Sequence, residues 1–93
     1  MDDLNETAVK ELIDRLHTIK GHLNGIEKMI TEGRKCDDIL LQLVAIRAAL
    51  DKLSAKLAEH YVIQCYEAAV NEGIDPKEML ARALQVVIKF TPS

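Results

Sequence analysis

The sequence predicts an all-α fold: an antiparallel helical hairpin and a short third helix, assembled as a dimer of dimers. The 93 residues include only two prolines and four glycines, so long helices are possible. Apolar residues recur at alternating intervals of three and four, which places their side chains on one helical face. Because so short a chain buries little surface, we expect one domain over residues 1–93 that is stabilised by oligomerisation.

The first helix is predicted over residues 6–32, after a frayed segment at residues 1–5. Asn5 or Thr7 suits its N-cap, and Gly33 suits its end. The connection to the second helix is short, so the two helices should form an antiparallel hairpin. The apolar positions of the first helix are Val9, Leu12, Leu16, Ile19, Leu23, Ile26 and Ile30.

The second helix is predicted over residues 37–71 and the third over residues 76–90. Apolar residues cover more than half the circumference of the second helix, so we expect partners on two sides, one of them another subunit. Its main apolar positions are Ile39, Leu43, Ile46, Leu50, Leu53 and Leu57. At the start of the third helix, Asp75 as N-cap, Pro76 and Glu78 have the spacing of a capping box.

Cys36 and Cys65 lie near the two ends of the predicted second helix. A continuous helix would hold them about 43 Å apart at roughly 1.5 Å per residue, so they cannot meet within one chain. If this helix packs antiparallel against its copy, with the two-fold axis near Leu50 and Asp51, Cys36 of one subunit approaches Cys65 of the other. From the residues alone, a two-thiol site and a pair of small buried core residues both stay open.

Composition narrows the class of protein. The formal net charge of -3 argues against binding nucleic acid by bulk attraction, although a local basic face remains possible. We predict no enzyme, because the three histidines are scattered and no catalytic constellation is present. The acidic N-terminus does not resemble a signal peptide and no apolar run would span a membrane, so we expect a cytoplasmic protein without a membrane partner. Cysteines in that compartment are available for metal or sulfur chemistry.

Basic residues occur on both long helices. On the first helix, Arg15 and His22 share a polar stripe with Thr18, and on the second helix Arg47 and Lys52 are basic. No helix-turn-helix, zinc finger or basic region with heptads is present. From physical chemistry alone, these residues are most simply a solvated helix face.

Two segments carry a family resemblance. The segments "RLHTIKGHLNGIEKMI" and "DILLQLVAIRAALDKL", together with Cys36 and Cys65, resemble the copper-sensitive operon repressors (CsoR) and their relatives, which sense nickel or cobalt, formaldehyde, or persulfides. The resemblance implies a homotetrameric transcriptional repressor, built from homodimers, that binds operator DNA and leaves it when an inducer reacts between subunits. It assigns the DNA contacts to basic residues of the first two helices, here Arg15, His22, Arg47 and Lys52.

The resemblance also indicates the inducer. The sensing positions of the family are Cys36, the residue twenty-five later and the residue twenty-nine later, here Tyr61 and Cys65. Copper sensors have His where this chain has Tyr61, so the resemblance favours the persulfide-sensing CstR branch. In that branch the two cysteines become joined by sulfur links, which requires no metal cofactor. Lys35, next to Cys36, would favour the thiolate.

Two alternatives to a sulfur sensor stay open. The first is a copper(I) sensor that binds the metal through Cys36 and Cys65, with His60 or a non-protein donor completing the site. His60 is one residue away from the position that shares a helical face with Cys65, and that position holds Tyr61. The second is a helical protein that only mediates protein contacts and whose cysteines are inert.

Overall fold

The structure is a computed structural model that describes residues 5–89. Over this range the chain forms three helices, α1 (Glu6–Thr31), α2 (Cys36–Glu72) and α3 (Pro76–Ile88), and no strand. The predicted all-α class is therefore confirmed. The expectation of a frayed start at residues 1–4 lies outside the described residues. The third helix ends at Ile88, with Lys89 as its C-cap, and so stops before the predicted residue 90. None of the described helices is long and apolar enough to cross a membrane.

The contacts divide the chain into two compact units. The N-terminal unit consists of residues 5–53, and the C-terminal unit includes residues 54–89. Helix α2 contributes its first half to one unit and its second half to the other. Both cysteines therefore lie on α2, but in different units.

Helix α1 begins at a side-chain cap. The Asn5 side chain accepts a hydrogen bond from the backbone N–H of Ala8 at 2.7 Å, and the Asn5 backbone is extended. Of the two predicted caps, Asn5 is thus the one used. Such a cap contributes about 1 kcal/mol to helix stability, because it satisfies a backbone donor that has no partner within the helix.

The turn between α1 and α2 is a Schellman motif. Gly33 has a φ of 70°, its N–H donates to the carbonyl of Ile30 at 3.2 Å, and the N–H of Arg34 donates to Met29 at 2.9 Å. The Lys35 carbonyl then accepts the N–H of Ile39 at 3.2 Å. Helix α2 therefore starts at Cys36, one residue before the predicted start.

The core of the N-terminal unit consists of three buried isoleucines. Ile19 and Ile26 of α1 and Ile46 of α2 are 3%, 6% and 4% exposed. Ile39, Ala49 and Leu53 of α2 are half-buried against them. Burial of each isoleucine stabilises the fold by about 1.5–3 kcal/mol. Ile19 and Ile26 are seven residues apart in α1, as are Ile39 and Ile46 in α2. One position of the seven-residue apolar repeat in each helix therefore forms the core.

A second apolar position of the seven-residue repeat remains exposed in each helix. In α1 the exposed fractions of Leu16, Leu23 and Ile30 are 40%, 47% and 62%. In the part of α2 that belongs to the same unit, Leu43 and Leu50 are 42% and 44% exposed. Their neighbours Leu40, Leu41 and Val44 are more exposed still. An apolar surface of this extent is typical of a protein contact surface.

The C-terminal unit packs the second half of α2 with α3. The φ of Gly73 is 69°, and the N–H of Ile74 donates to the carbonyl of Ala69 at 3.1 Å, so α2 ends in the same way as α1. Ala69 and Ala83 are 2% and 1% exposed. Small side chains at these positions allow the two helices to approach closely.

The start of α3 differs from the prediction in one detail. The Asp75 side chain accepts the N–H of Lys77 at 3.0 Å and Pro76 is the first helical residue, as expected. The carboxylate of Glu78, however, accepts a hydrogen bond from the Arg82 guanidinium at 2.8 Å. Glu78 is therefore engaged one turn along the helix, and the reciprocal bond of a capping box is replaced by an ion pair.

Two glycine substitutions should have opposite effects on stability. Gly33→Ala forces a Cβ into left-handed backbone and should lower the free energy of unfolding by about 1–2 kcal/mol. Gly21→Ala, inside α1 with open space around the added Cβ, should raise it by about 1 kcal/mol. Urea unfolding at equal protein concentration measures both. Equal effects of the same sign would contradict this assignment of the turn.

Candidate functional site

Cys36 is an exposed thiol at the first residue of α2. Its position at a helix N-terminus places it among backbone N–H groups that favour negative charge. Asp37 already uses one of these N–H groups, because its carboxylate accepts a hydrogen bond from the backbone N–H of Asp38 at 2.9 Å. Lys35, the other predicted neighbour, is exposed immediately before the helix. The geometry thus leaves Cys36 accessible to a reagent or to a second protein chain.

Cys65 lies in the C-terminal unit and is half-buried. Tyr61 is one turn earlier on the same helical face and is also half-buried. The pKa of the Tyr61 phenol is raised above its ordinary value. Hydrogen bonding with Cys65 is the largest cause, followed by desolvation and by repulsion from the charged Cys65 thiolate. Tyr61 is therefore a neutral phenol at physiological pH.

His60 does not share this face. It is half-buried, but it lies five positions before Cys65, and a helix rotates about 100° per residue. Within residues 5–89, no group of three or more His, Cys, Asp or Glu side chains could hold a metal ion. The described His, Cys, Asp and Glu side chains of a single chain therefore do not provide a complete metal site.

The thiol of Cys65 opens onto a cavity between the second half of α2 and α3. The cavity has a volume of about 320 Å³ and is lined from α2 by Val62, Cys65 and Tyr66. From α3 it is lined by residues that include Met79 and Leu80. The sequence predicted the apolar face of α3, but it could not show which face of α2 this helix covers, so the cavity was not predicted.

The four residues assigned to DNA binding all lie in the N-terminal unit. Arg15 and His22 are on α1, Arg47 and Lys52 are on α2, and all but Arg15 are exposed. Arg15 is half-buried, and its guanidinium donates to Glu11 at 3.5 Å. Its Nε is buried and has no hydrogen-bond partner within the described part of the chain. An exposed ion pair of this length contributes little to stability. Arg15 can therefore bind another anion in place of Glu11 at a small cost in free energy.

Comparisons with known proteins agree on one family. A family model described as metal-sensitive transcriptional repressor matches residues 8–89. The copper-sensing transcriptional repressor CsoR of Bacillus subtilis (strain 168) is 34% identical over 93 residues, an alignment that covers 97% of this chain and 91% of that protein.

Two solved structures are similar to this chain. The copper-sensing repressor CsoR with Cu(I) from Geobacillus thermodenitrificans NG80-2 gives a TM-score of 0.80 at 31% identity, over 94% of this chain and 90% of that one. The nickel-responsive transcriptional regulator InrS gives a TM-score of 0.76 at 28% identity, over 96% of both chains.

The pairing of Tyr61 with Cys65 can be tested by titration. In a Tyr66→Phe background, which leaves one tyrosine, Cys65→Ala should lower the pKa of Tyr61 toward its ordinary value. Cys65→Ser should lower it less, because the hydroxyl keeps a hydrogen-bonding group beside the phenol. Ultraviolet absorbance of the phenolate against pH reports both values. An unchanged titration in the Cys65→Ala variant would contradict the pairing.

Proposed function

The chain belongs to the metal-sensitive transcriptional repressors of the CsoR type, and from this membership we propose that it binds operator DNA and leaves it when an inducer reacts at Cys36 and Cys65. It is a repressor and not an enzyme. The observation that carries the proposal is the accessibility of both thiols: Cys36 is exposed, and Cys65 opens onto a cavity. The reaction joins thiols of different subunits, so it can alter how the subunits are arranged.

The acting form is a homotetramer built from homodimers. Leu43 and Leu50 of α2 stay exposed in the single chain, as do Leu16, Leu23 and Ile30 of α1. Antiparallel packing of α2 against its copy, about an axis near Leu50 and Asp51, would cover the α2 residues. The same packing brings Cys36 of one subunit toward Cys65 of the other. The apolar residues that remain exposed on α1 provide the contact between dimers.

Operator binding is assigned to Arg15, His22, Arg47 and Lys52. Three of them are exposed, and the ion pair that Arg15 makes with Glu11 is long, at 3.5 Å. A chain with a net charge of -3 needs such local clustering to attract phosphate. Because the tetramer repeats this face, it would contact symmetric half-sites of an operator.

Copper(I) is the inducer that we propose. The B. subtilis relative is named as copper-sensing, and the G. thermodenitrificans structure holds Cu(I). Two thiolates are soft donors that suit this ion, and each thiol releases its proton when it binds. Copper(I) would link two subunits and stabilise an arrangement with lower affinity for the operator. The relatives thus favour the copper alternative over the sulfur chemistry that the sequence favoured.

Reactive sulfur species are the second candidate, and one residue favours them. Tyr61 is a hard phenol donor and a poor ligand for copper(I), whereas a thiol pair suffices for sulfur chemistry. One thiolate would attack a polysulfide, cleave an S–S bond and become a persulfide as a shortened polysulfide leaves. The partner thiolate would then attack the inner sulfur and expel hydrosulfide. Two thiols are oxidised to one disulfide, and the two electrons leave with the sulfide.

Loss of one arginine should reduce the salt dependence of DNA binding. Arg47→Ala should weaken binding to the duplex upstream of the gene and lower the slope of log K against log salt by about one. Lys89→Ala, which removes the same charge from the end of α3, should leave this slope unchanged. Fluorescence anisotropy over a series of salt concentrations measures both. Equal losses in the two variants would show bulk attraction rather than a defined face.

Operator release separates the two inducers. Under anaerobic conditions, about one equivalent of copper(I) per chain should release the labelled operator, and a copper(I) chelator should restore binding. Polysulfide should leave the operator bound, and intact-protein mass spectrometry should detect no bridged subunits. Cys36→Ser and Cys65→Ser should abolish release.

The opposite pattern favours sulfur sensing. Release by polysulfide that a reductant reverses, together with weak copper(I) binding, would overturn the copper proposal and support the second candidate. If the duplex is bound only as well as unrelated DNA, and no reagent changes that binding, the operator proposal itself is wrong.

A further inference from the structure

We propose that the thioether of Met79 is a copper(I) ligand beside Cys65, so that α3 supplies the soft donor which Tyr61 does not. This inference rests on the proposed copper(I) function and deepens it. The full ligand set would then be Cys65 and Met79 of one subunit and Cys36 of its partner subunit.

The cavity brings the two sulfur residues together. Cys65 from α2 and Met79 from α3 line the same space of about 320 Å³, and both are half-buried. Val62 and Leu80 also line it, and their hydrocarbon side chains offer no donor atom. Its polar lining residues are Tyr66, whose phenol is a hard donor, and Lys77, whose ammonium is positively charged. Among the lining residues, the sulfur atoms of Cys65 and Met79 are the soft donors.

The packing of α2 with α3 supports this placement. Ala69 follows Cys65 by one turn, and Ala83 follows Met79 by one turn, so each alanine shares a face with its sulfur residue. Both alanines are almost fully buried, at 2% and 1% exposure. The helices therefore approach closely along the faces that carry the sulfur atoms. The three side-chain torsions of Met79 let its sulfur move within the cavity.

The chemistry of a thioether fits copper(I). Thiolates and thioethers are the soft ligands that select this ion, whereas imidazole and carboxylate also suit other metals. Met79 adds a donor without adding charge, so two thiolates and one copper(I) carry a net charge of -1, which the ammonium of Lys77 at the same cavity can offset. The neutral phenol of Tyr61 can then donate a hydrogen bond to the Cys65 sulfur, where it stabilises the thiolate.

Met79 could instead be an ordinary core residue, and an isosteric substitution separates the two roles. Met79→Leu keeps the volume and the apolar character of the side chain but removes the sulfur. Met29→Leu, at a half-buried position of α1, is the matched control. Circular dichroism and unfolding of both full-length variants would show that the fold is retained.

Copper(I) affinity is the first measurement, made anaerobically by competition with a chelator. Met79→Leu should weaken binding by about 10-fold or more, the lower end of the loss that follows removal of a group supporting a metal site. Met29→Leu should bind as the unmodified chain does. Equal affinities of the two variants would overturn the assignment of Met79 while leaving the proposed function intact. Failure of the unmodified chain to bind copper(I) would overturn both.

X-ray absorption gives a second measurement that does not depend on stability. Met29→Leu protein labelled with selenomethionine and loaded with copper(I) should show a copper neighbour at the selenium edge. The same neighbour should be missing after the further change Met79→Leu. A selenium spectrum without copper in the first protein would contradict direct ligation by residue 79.

Discussion

The packing of Ile19 and Ile26 against Ile46 is the contact on which the proposed function depends. These three side chains are buried, and the positions that alternate with them along the same helices are not. The hairpin therefore buries one set of its repeating apolar residues in its own core and leaves the other set exposed for contact with a second chain. A helix whose apolar residues extend beyond one face is stable in water only when further partners cover them. The exposed apolar positions thus favour oligomerisation, and the proposed sensing site between subunits depends on it.

Helix α2 connects the two parts of the proposed mechanism. Its first half carries Cys36, Arg47 and Lys52, and its second half carries Tyr61 and Cys65. An inducer that joins Cys36 of one subunit to Cys65 of another would therefore act on the same helix that carries the proposed operator-binding residues. The free energy available for release is the difference in inducer affinity between the bound and released arrangements. The proposed mechanism requires no separate signalling element, because the proposed sensing and binding residues lie on one helix.

The local features of the fold were predictable from the sequence, whereas the pairing of faces was not. Asn5, Gly33 and Asp75 act within one helical turn, so their residue types were enough to predict where helices start and end. Glu78 was mispredicted because Arg82, one turn later, competes for its carboxylate. The face shared by Tyr61 and Cys65 followed from a spacing of four.

The preference for sulfur chemistry had a related cause. It came from Tyr61, which occupies the position on α2 where copper sensors have His. Met79 belongs to another helix, and only the packing of α3 on α2 places it beside Cys65. A spacing rule cannot find a donor that a different helix contributes, so the sequence did not indicate a third soft donor for the proposed copper site.

Charge alone does not distinguish the two candidate inducers at Cys65. A polysulfide is negatively charged, so its entry beside Val62 and Leu80 costs desolvation, but the ammonium of Lys77, which lines the same cavity, attracts it. The same ammonium repels copper(I), which the Cys65 thiolate would attract. The proposed preference for copper(I) therefore rests on the softness of the thiol and thioether donors, which sulfur chemistry does not require.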